Sequence, residues 1–187
     1  MMEQNILFSQ NQNKNAEHAP SVSIDIVRNL EDLKAAFEIR KQSFVLEKGV
    51  SQETEFDEND FASTHILMKV DERPAGTLRI RCFKDFAKME RLCILKDYRG
   101  QKLYKHLLDY TEEYLKTKGY NCFVGYILND LADYWFARGF KPNPQMQPLQ
   151  KGNLTLLPVI YPFSVTKRSS HRQPIDLLAK EGKIKTY

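Results

Sequence analysis

No apolar run in this chain approaches the roughly 20 residues a membrane-crossing helix needs, so the sequence predicts no membrane span. Cysteine is scarce. Cys82, Cys93 and Cys122 each stand alone in a strand-like run, no CxxC pair occurs, and an odd count argues against a disulfide framework. They are expected to be buried, reduced thiols. His18, His65, His106 and His171 are scattered, so no metal site is expected. Charge of either sign is nearly balanced, with a net excess of +4. The dense basic face of a nucleic-acid-binding module is missing, and the basic cluster from Thr166 to Arg172 reads as a solvated tail. Neither GxxxxGK(S/T) nor a GxGxxG after a strand is present, which excludes the P-loop and the dinucleotide fingerprint. The opening residues lack the basic start and apolar stretch of a secretion signal, so a cytoplasmic protein is expected.

What is present fits one domain of ordinary composition, 42% hydrophobic and 28% charged over 187 residues. Residues 1–20, rich in Asn and Gln, read as a flexible tail. The domain proper is expected over 21–165, and 166–187 as a polar extension. Ser21–Arg28 alternates like a strand. A first helix follows, with Asn29 as its cap and Leu30, Leu33, Phe37 and Phe44 near helical spacing. The acidic stretch SQETEFDENDF reads as a loop or short helix. THILMKV, AGTLRIRCF and AKMERLCIL form a strand meander whose first turn is DERP. A long helix runs from about Gly100 to Lys118, with Leu103, Leu107, Tyr110 and Tyr114 on one stripe, and ends at Gly119. The strand NCFVGYI, the shorter helix NDLADYWFARG and a last strand NLTLLPVIYPF complete the order. This is an α/β (α+β) pattern with a mixed, mostly antiparallel sheet, not a doubly wound one.

The segment LCILKDYRGQKLYKHLLDY, Leu92–Tyr110, joins an apolar strand to a helix through the basic turn Arg99-Gly100-Gln101-Lys102. Helix N-terminal amides lack intrahelical partners, and the helix dipole adds partial positive charge there. Such a turn suits a phosphate; its bland alternative is an exposed basic helix start. The segment resembles the coenzyme A-binding motif of the GNAT (Gcn5-related) N-acetyltransferases, in which an apolar strand leads through (R/Q)-x-x-G-x-(G/A) into a long helix. NDLADYWFARGF resembles the family's second motif, with Asn129, Ala132, Gly139 and Phe140 in register.

The resemblance covers about Ser23–Phe163 and implies a GNAT-like acyl-CoA N-acyltransferase fold with helices on both faces of the sheet. It implies that backbone groups of Leu92, Cys93 and Ile94 pair with the pantetheine arm. Amides from Arg99, Gly100, Gln101, Lys102, Leu103 and Tyr104 would wrap the pyrophosphate, and Asn129 would contact the arm. Acetyl-CoA or another acyl-CoA would be the co-substrate. The chain departs from the pattern at Lys102 and Tyr104, where the family prefers Gly and Gly or Ala. It departs again at Trp135, which stands where many relatives carry a tyrosine acid; Tyr134, one residue earlier, is the acid candidate.

Amine acylation needs a base, commonly a carboxylate. Glu90 precedes the turn, and strict alternation places it with Leu92 and Ile94, opposite Met89, Arg91 and Cys93. Apolar neighbours would raise its pKa; the alternative is an ion pair with Arg79 or Arg81. Acids at Glu53, Glu55, Asp57, Glu58 and Asp60 suit recruitment of a cationic amine, or a solvated loop. A second resemblance, to acyl-homoserine-lactone synthases and N-acyl amino acid synthases, rests on Arg40 and Phe44 followed by Glu55, Asp57 and Asp60. It implies substrate-binding roles for Arg40, Glu55 and Asp57.

Three readings stay open. One is an N-acyltransferase acting on a small-molecule amine by direct attack on the thioester. The second is a homoserine-lactone or long-chain N-acyl amino acid synthase, with an acyl carrier protein as a partner. The third is a non-catalytic acyl-CoA-binding module. Nucleic acid and membrane are not expected partners; a homodimer is compatible with all three.

Overall fold

The computed structural model describes residues 20–151 and 154–164. The expected tail before Pro20 and the extension from Thr166 onward lie outside the described residues. β1 (Val22–Ile26) leads to α1 (Leu30–Arg40), which Asn29 caps by accepting the Asp32 amide at 2.8 Å. The helix runs on as a π-helical turn, Lys41–Leu46. The acidic stretch folds as α2 (Gln52–Glu55) and a 3₁₀ turn, Glu58–Ala62. Then come β2 (Thr64–Val70), β3 (Arg73–Cys82) and β4 (Ala87–Ile94). Asp71 and Glu72 are both left-handed, at φ 47° and 62°, as a tight hairpin twisted with its strands requires. α3 (Tyr104–Lys118) ends on Gly119, left-handed at φ 91°. β5 (Cys122–Leu128), a 3₁₀ turn at Asn129–Leu131, α4 (Ala132–Phe136), β6 (Lys141–Pro142), β7 (Leu149–Lys151) and β8 (Leu154–Pro162) follow.

The sheet runs in the order β1-β2-β3-β4-β5-β8-β6, with β7 on β8. β4 and β5 are parallel; the other pairs are antiparallel. α3 covers one face, where Leu107 and Leu115 meet Ile66, Leu78, Ile80 and Phe123. α1 covers the other, where Ala36 and Ile39 meet Leu67 and Cys93. The expected mixed sheet with helices on both faces is therefore observed.

Three expectations are corrected. The buried face of the first helix is Ala36, Ile39, Arg40 and Ser43, and Leu30 is 66% exposed. It lies at the helix start, beyond the edge of the sheet contact. α3 begins at Tyr104, four residues later than expected, because the turn before it is an irregular loop. β6 and β7 were not legible, being two and three residues long. Of the thiols, Cys93 is buried but Cys82 is exposed, since it closes β3 at the hairpin end.

Candidate active site

β4 and β5 pair over two rungs, Ala87–Phe123 and Lys88–Val124, and then part. β4 continues to Ile94 held by β3, and β5 to Leu128 held by β8. The result is a fork whose β4 edge, among the described residues, has no strand partner beyond Lys88. At its crotch Gly125 is required: a Cβ there would lie 3.0 Å from the Met89 carbonyl oxygen.

A bulge in β4 decides which side chains face which side of the fork. The register shifts between Thr77 and Arg79, and Arg91 takes φ 57°. The extra residue reverses the alternation. Ala87 and Met89 before it, and Leu92 and Ile94 after it, all pack on the α3 side. Glu90, Arg91 and Cys93 share the α1 side. The expected grouping of Glu90 with Leu92 and Ile94 is therefore wrong. So is the raised pKa expected from it. Arg79 Nη2 lies 2.8 Å from one Glu90 oxygen and Lys88 Nζ 2.6 Å from the other. Burial pushes this carboxyl up, but the two cations outweigh it and hold it below its usual value.

At the open end of the fork, the chain passes a 3₁₀ turn, Lys96–Tyr98, and enters the loop expected to hold an anion. Gly100 at φ 84° and Lys102 at φ 58° are both left-handed. A lysine in that region costs on the order of 1 kcal/mol, so the loop holds the shape of a glycine turn without the second glycine. Among the described residues, the amides of Gly100, Gln101, Lys102, Leu103 and Tyr104 have no protein acceptor. They border a cleft of about 250 Å³ lined by Ile94, Tyr98, Arg99, Gly100, Lys102, Leu103, Tyr104 and Tyr134. Arg99 corrects the expectation that it contributes its amide and free charge. Its amide donates to Lys96 O at 3.2 Å, and its guanidinium grips both Glu47 oxygens at 2.7 and 2.6 Å and Ile94 O at 2.9 Å. Arg99 braces the loop against the end of the π-helical turn.

Tyr134 sits at this open end of the fork, 40% exposed, its ring 5.8 Å from that of Tyr104. Trp135 is turned into the core against Tyr104 and Phe140. Asn129 opens the 3₁₀ turn after β5, on the opposite arm of the fork from Ile94. Arg138, which the sequence reading passed over, donates from Nε to the Tyr104 hydroxyl. Lys88 and Tyr126 were missed too. Lys88 Nζ lies 5.7 Å from the centre of the Tyr126 ring, across the crotch from β5. Lys88 was findable, since it stands two residues before Glu90 on one strand face.

The residues expected to hold an acceptor form a buried ion lattice instead. Arg40, 0% exposed, reaches Glu55 at 2.7 Å and both Asp60 oxygens at 2.6 and 3.0 Å, and donates to the Glu55 carbonyl at 2.5 Å. Arg79, 1% exposed, holds Asp57 and Asp60, each at 2.7 Å, besides Glu90. Arg91 Nε stands 2.9 Å from Glu55. Arg40 and Glu55 are enclosed, so their expected contact with an acceptor is corrected: each is spent on the other. Asp57 keeps an exposed edge. Its carboxyl is held far below the usual range, chiefly by the hydrogen bonds from Arg79. Burial raises Glu55 against the pull of Arg40 and Arg91.

No group of three or more His, Cys, Asp or Glu side chains suited to a metal occurs among the described residues. Among them too, no helix is long and apolar enough to cross a membrane. Burial pushes the Cys93 thiol up to about 12 and raises Cys82 and Cys122 as well, so none is disposed to act as a thiolate.

The sequence model of the acetyltransferase (GNAT) family matches residues 32–140, more than half of the chain. The chain belongs to the GNAT acetyltransferase family. It is 36% identical over 117 residues to YyaT, an uncharacterized protein of Bacillus subtilis, covering 61% of this chain and 79% of that one. An acyl-CoA N-acyltransferase of Pseudomonas aeruginosa superposes with a TM-score of 0.67 at 16% identity, over 76% of this chain and 99% of the other. The PaiA N-acetyltransferase of Thermoplasma acidophilum, solved in complex with coenzyme A, superposes with a TM-score of 0.58 at 17% identity, over 76% and 99%. Both confirm the fold of this GNAT family member.

Proposed function

We propose that the protein transfers an acyl group, acetyl in the first instance, from acyl-CoA to a small-molecule primary amine by direct attack on the thioester. The observation that carries this reading is the run of five unpartnered amides, Gly100–Tyr104, at the open end of the β4–β5 fork. In this reading the pyrophosphate lies on those amides. The pantetheine arm pairs with the free β4 edge at Leu92, Cys93 and Ile94, and meets Asn129 on the opposite arm. The thioester then reaches the crotch, where β4 amides receive the charge that develops on the carbonyl oxygen.

The acceptor approaches from the α1 side, where Glu90, Lys88, Tyr126 and the exposed edge of Asp57 lie. Its ammonium gives one proton to Glu90; the nitrogen bonds to the acyl carbon and sheds a second proton to solvent, the C–S bond breaks, the thiolate takes a proton from solvent, and Glu90 then releases its proton to solvent. The Tyr134 ring packs 5.8 Å from that of Tyr104 at the loop end of the fork, so in this reading Tyr134 holds the Tyr104 ring and is not the acid. Asp57, permanently ionised, orients the ammonium.

Free-thiol release from acetyl-CoA over a panel of amines tests the transfer, and calorimetry with coenzyme A tests the donor site. Absence of heat with coenzyme A would sink the donor assignment. Binding without thiol release for any amine would favour a non-catalytic binding module. A cleaner probe of the loop is Gly100→Val. Nothing lies within 4 Å of a Cβ at Gly100, so the variant introduces no clash, while its φ of 84° suits no β-branched side chain. Forcing that conformation costs roughly 1–2 kcal/mol, so coenzyme A should bind about tenfold more weakly, with the thermal midpoint little changed.

A further inference from the structure

We propose that the Tyr104 hydroxyl is an additional donor-binding group, a hydrogen-bond donor that Arg138 aims at the phosphates lying on the Gly100–Tyr104 amides. The inference rests on the acyl-CoA reading above.

Tyr104 stands where the family motif has glycine or alanine, so its side chain is this chain's own addition. As the first residue of α3 it leaves the helix beside the free amides and lines the same cleft as Gly100, Lys102 and Tyr134. Its ring is held by aromatic edges: Trp135 at 5.9 Å, T-shaped, and Tyr134 at 5.8 Å. Arg138 Nε donates to the Tyr104 oxygen. Arg138 is itself fixed, with Nη1 donating to the Tyr134 carbonyl and its guanidinium 3.3 Å from the centre of the Tyr134 ring.

A phenol has one proton to give and two lone pairs to fill. With a cation donating to the Tyr104 oxygen, its own proton is left for another partner, and Tyr104 lines the cleft. Hydrogen bonds in a chain polarise one another, so a phenol accepting one from a cation is a stronger donor than a free one. The titration behaviour agrees. Burial pushes Tyr104 up, yet its neighbours Tyr134 and Arg138 outweigh it and hold the phenol below its usual value. Tyr134 is raised by burial and by Tyr104, as the proton-keeping member of the pair should be.

The test is Tyr104→Phe, which keeps the ring against Trp135 and removes the hydroxyl alone. A hydrogen bond to a charged phosphate is commonly worth about a factor of ten or more. Calorimetry should therefore show coenzyme A bound about tenfold more weakly by the variant. Pantetheine, followed by ligand-observed NMR, should bind both proteins alike, because it carries no phosphate. Arg138→Met should reproduce most of the loss, and adding it to Tyr104→Phe should cost little more, since the two act through one oxygen. Equal coenzyme A affinity in wild type and Tyr104→Phe overturns the inference and leaves the acyl-CoA reading standing. An equal loss for pantetheine also overturns it, assigning Tyr104 to packing. A wild-type protein that binds no coenzyme A overturns both.

Discussion

Replacing Arg40 with alanine is expected to lower stability by about 3–5 kcal/mol and the melting temperature by roughly 10 °C. The guanidinium is enclosed between α1, α2 and the 3₁₀ turn, with the Phe37 and Phe56 rings 5.1 and 5.0 Å from it. Its removal leaves one Glu55 oxygen, the one Arg91 does not hold, and part of Asp60 dry and unpaired. That desolvation penalty sets the magnitude: a buried ion pair adds little over an apolar pair of the same shape, but half of one is costly. Differential scanning calorimetry of the variant checks the size. A melting temperature within a degree or two of wild type would mean the lattice opens to water.

Acid should weaken the same lattice, and the sign can be worked out group by group. Asp57, Asp60 and Glu90 are all held below their ordinary values of 3.8, 3.8 and 4.5. For Asp57 the hydrogen bonds from Arg79 dominate. For Asp60 and Glu90 burial is the largest influence and opposes the shift, but their cationic partners overcome it. A depressed carboxyl contributes stability above its unfolded pKa and loses it as pH falls through the folded one. Glu55, raised by burial, runs the other way. Three against one, stability should fall as pH drops below about 4.

Much of the fold was legible because its elements announce themselves locally. Asn29, Gly119 and Gly139 bound helices as their chemistry requires, and the alternating runs became strands within a residue or two. The anion loop was legible as a backbone shape, since Gly100 marks it. What failed was non-local. Arg40 reads on the sequence as a helix residue with a long polar side chain, free to meet a substrate. That four acceptor groups from residues 55 and 60 close around it is set by the path of the chain after α1. The bulge at Arg91 failed for a different reason. No glycine marks its φ of 57°, so an alternation argument carried across it put Glu90 on the wrong face and gave it the wrong neighbours. Arg138, though inside the second motif, was overlooked because its partner, Tyr104, was read only as a departure.

The corrected face makes Glu90 more testable. If it takes the acceptor's proton, Glu90→Gln should reduce kcat/KM by roughly 100-fold or more, the scale of general-base catalysis, with coenzyme A affinity unchanged because the carboxylate faces away from the cleft. The amide cannot accept the proton, yet it keeps the size of the side chain and one oxygen for Arg79. Lys88→Met then asks whether the neighbouring cation tunes that base. Lys88 is the foremost of the groups lowering Glu90, so its loss should raise the carboxyl's pKa. A base must be ionised to act, and the rate falls as pH drops through its pKa. The acid limb of the kcat/KM profile should therefore move to higher pH in Lys88→Met, while the rate on the plateau holds or rises, because a more basic carboxylate accepts a proton more readily. An unmoved acid limb would mean that another group takes the proton. A Glu90→Gln enzyme with wild-type turnover would leave the carboxylate as one more counterion for Arg79, and the amine would then lose its proton to water at the crotch of the fork.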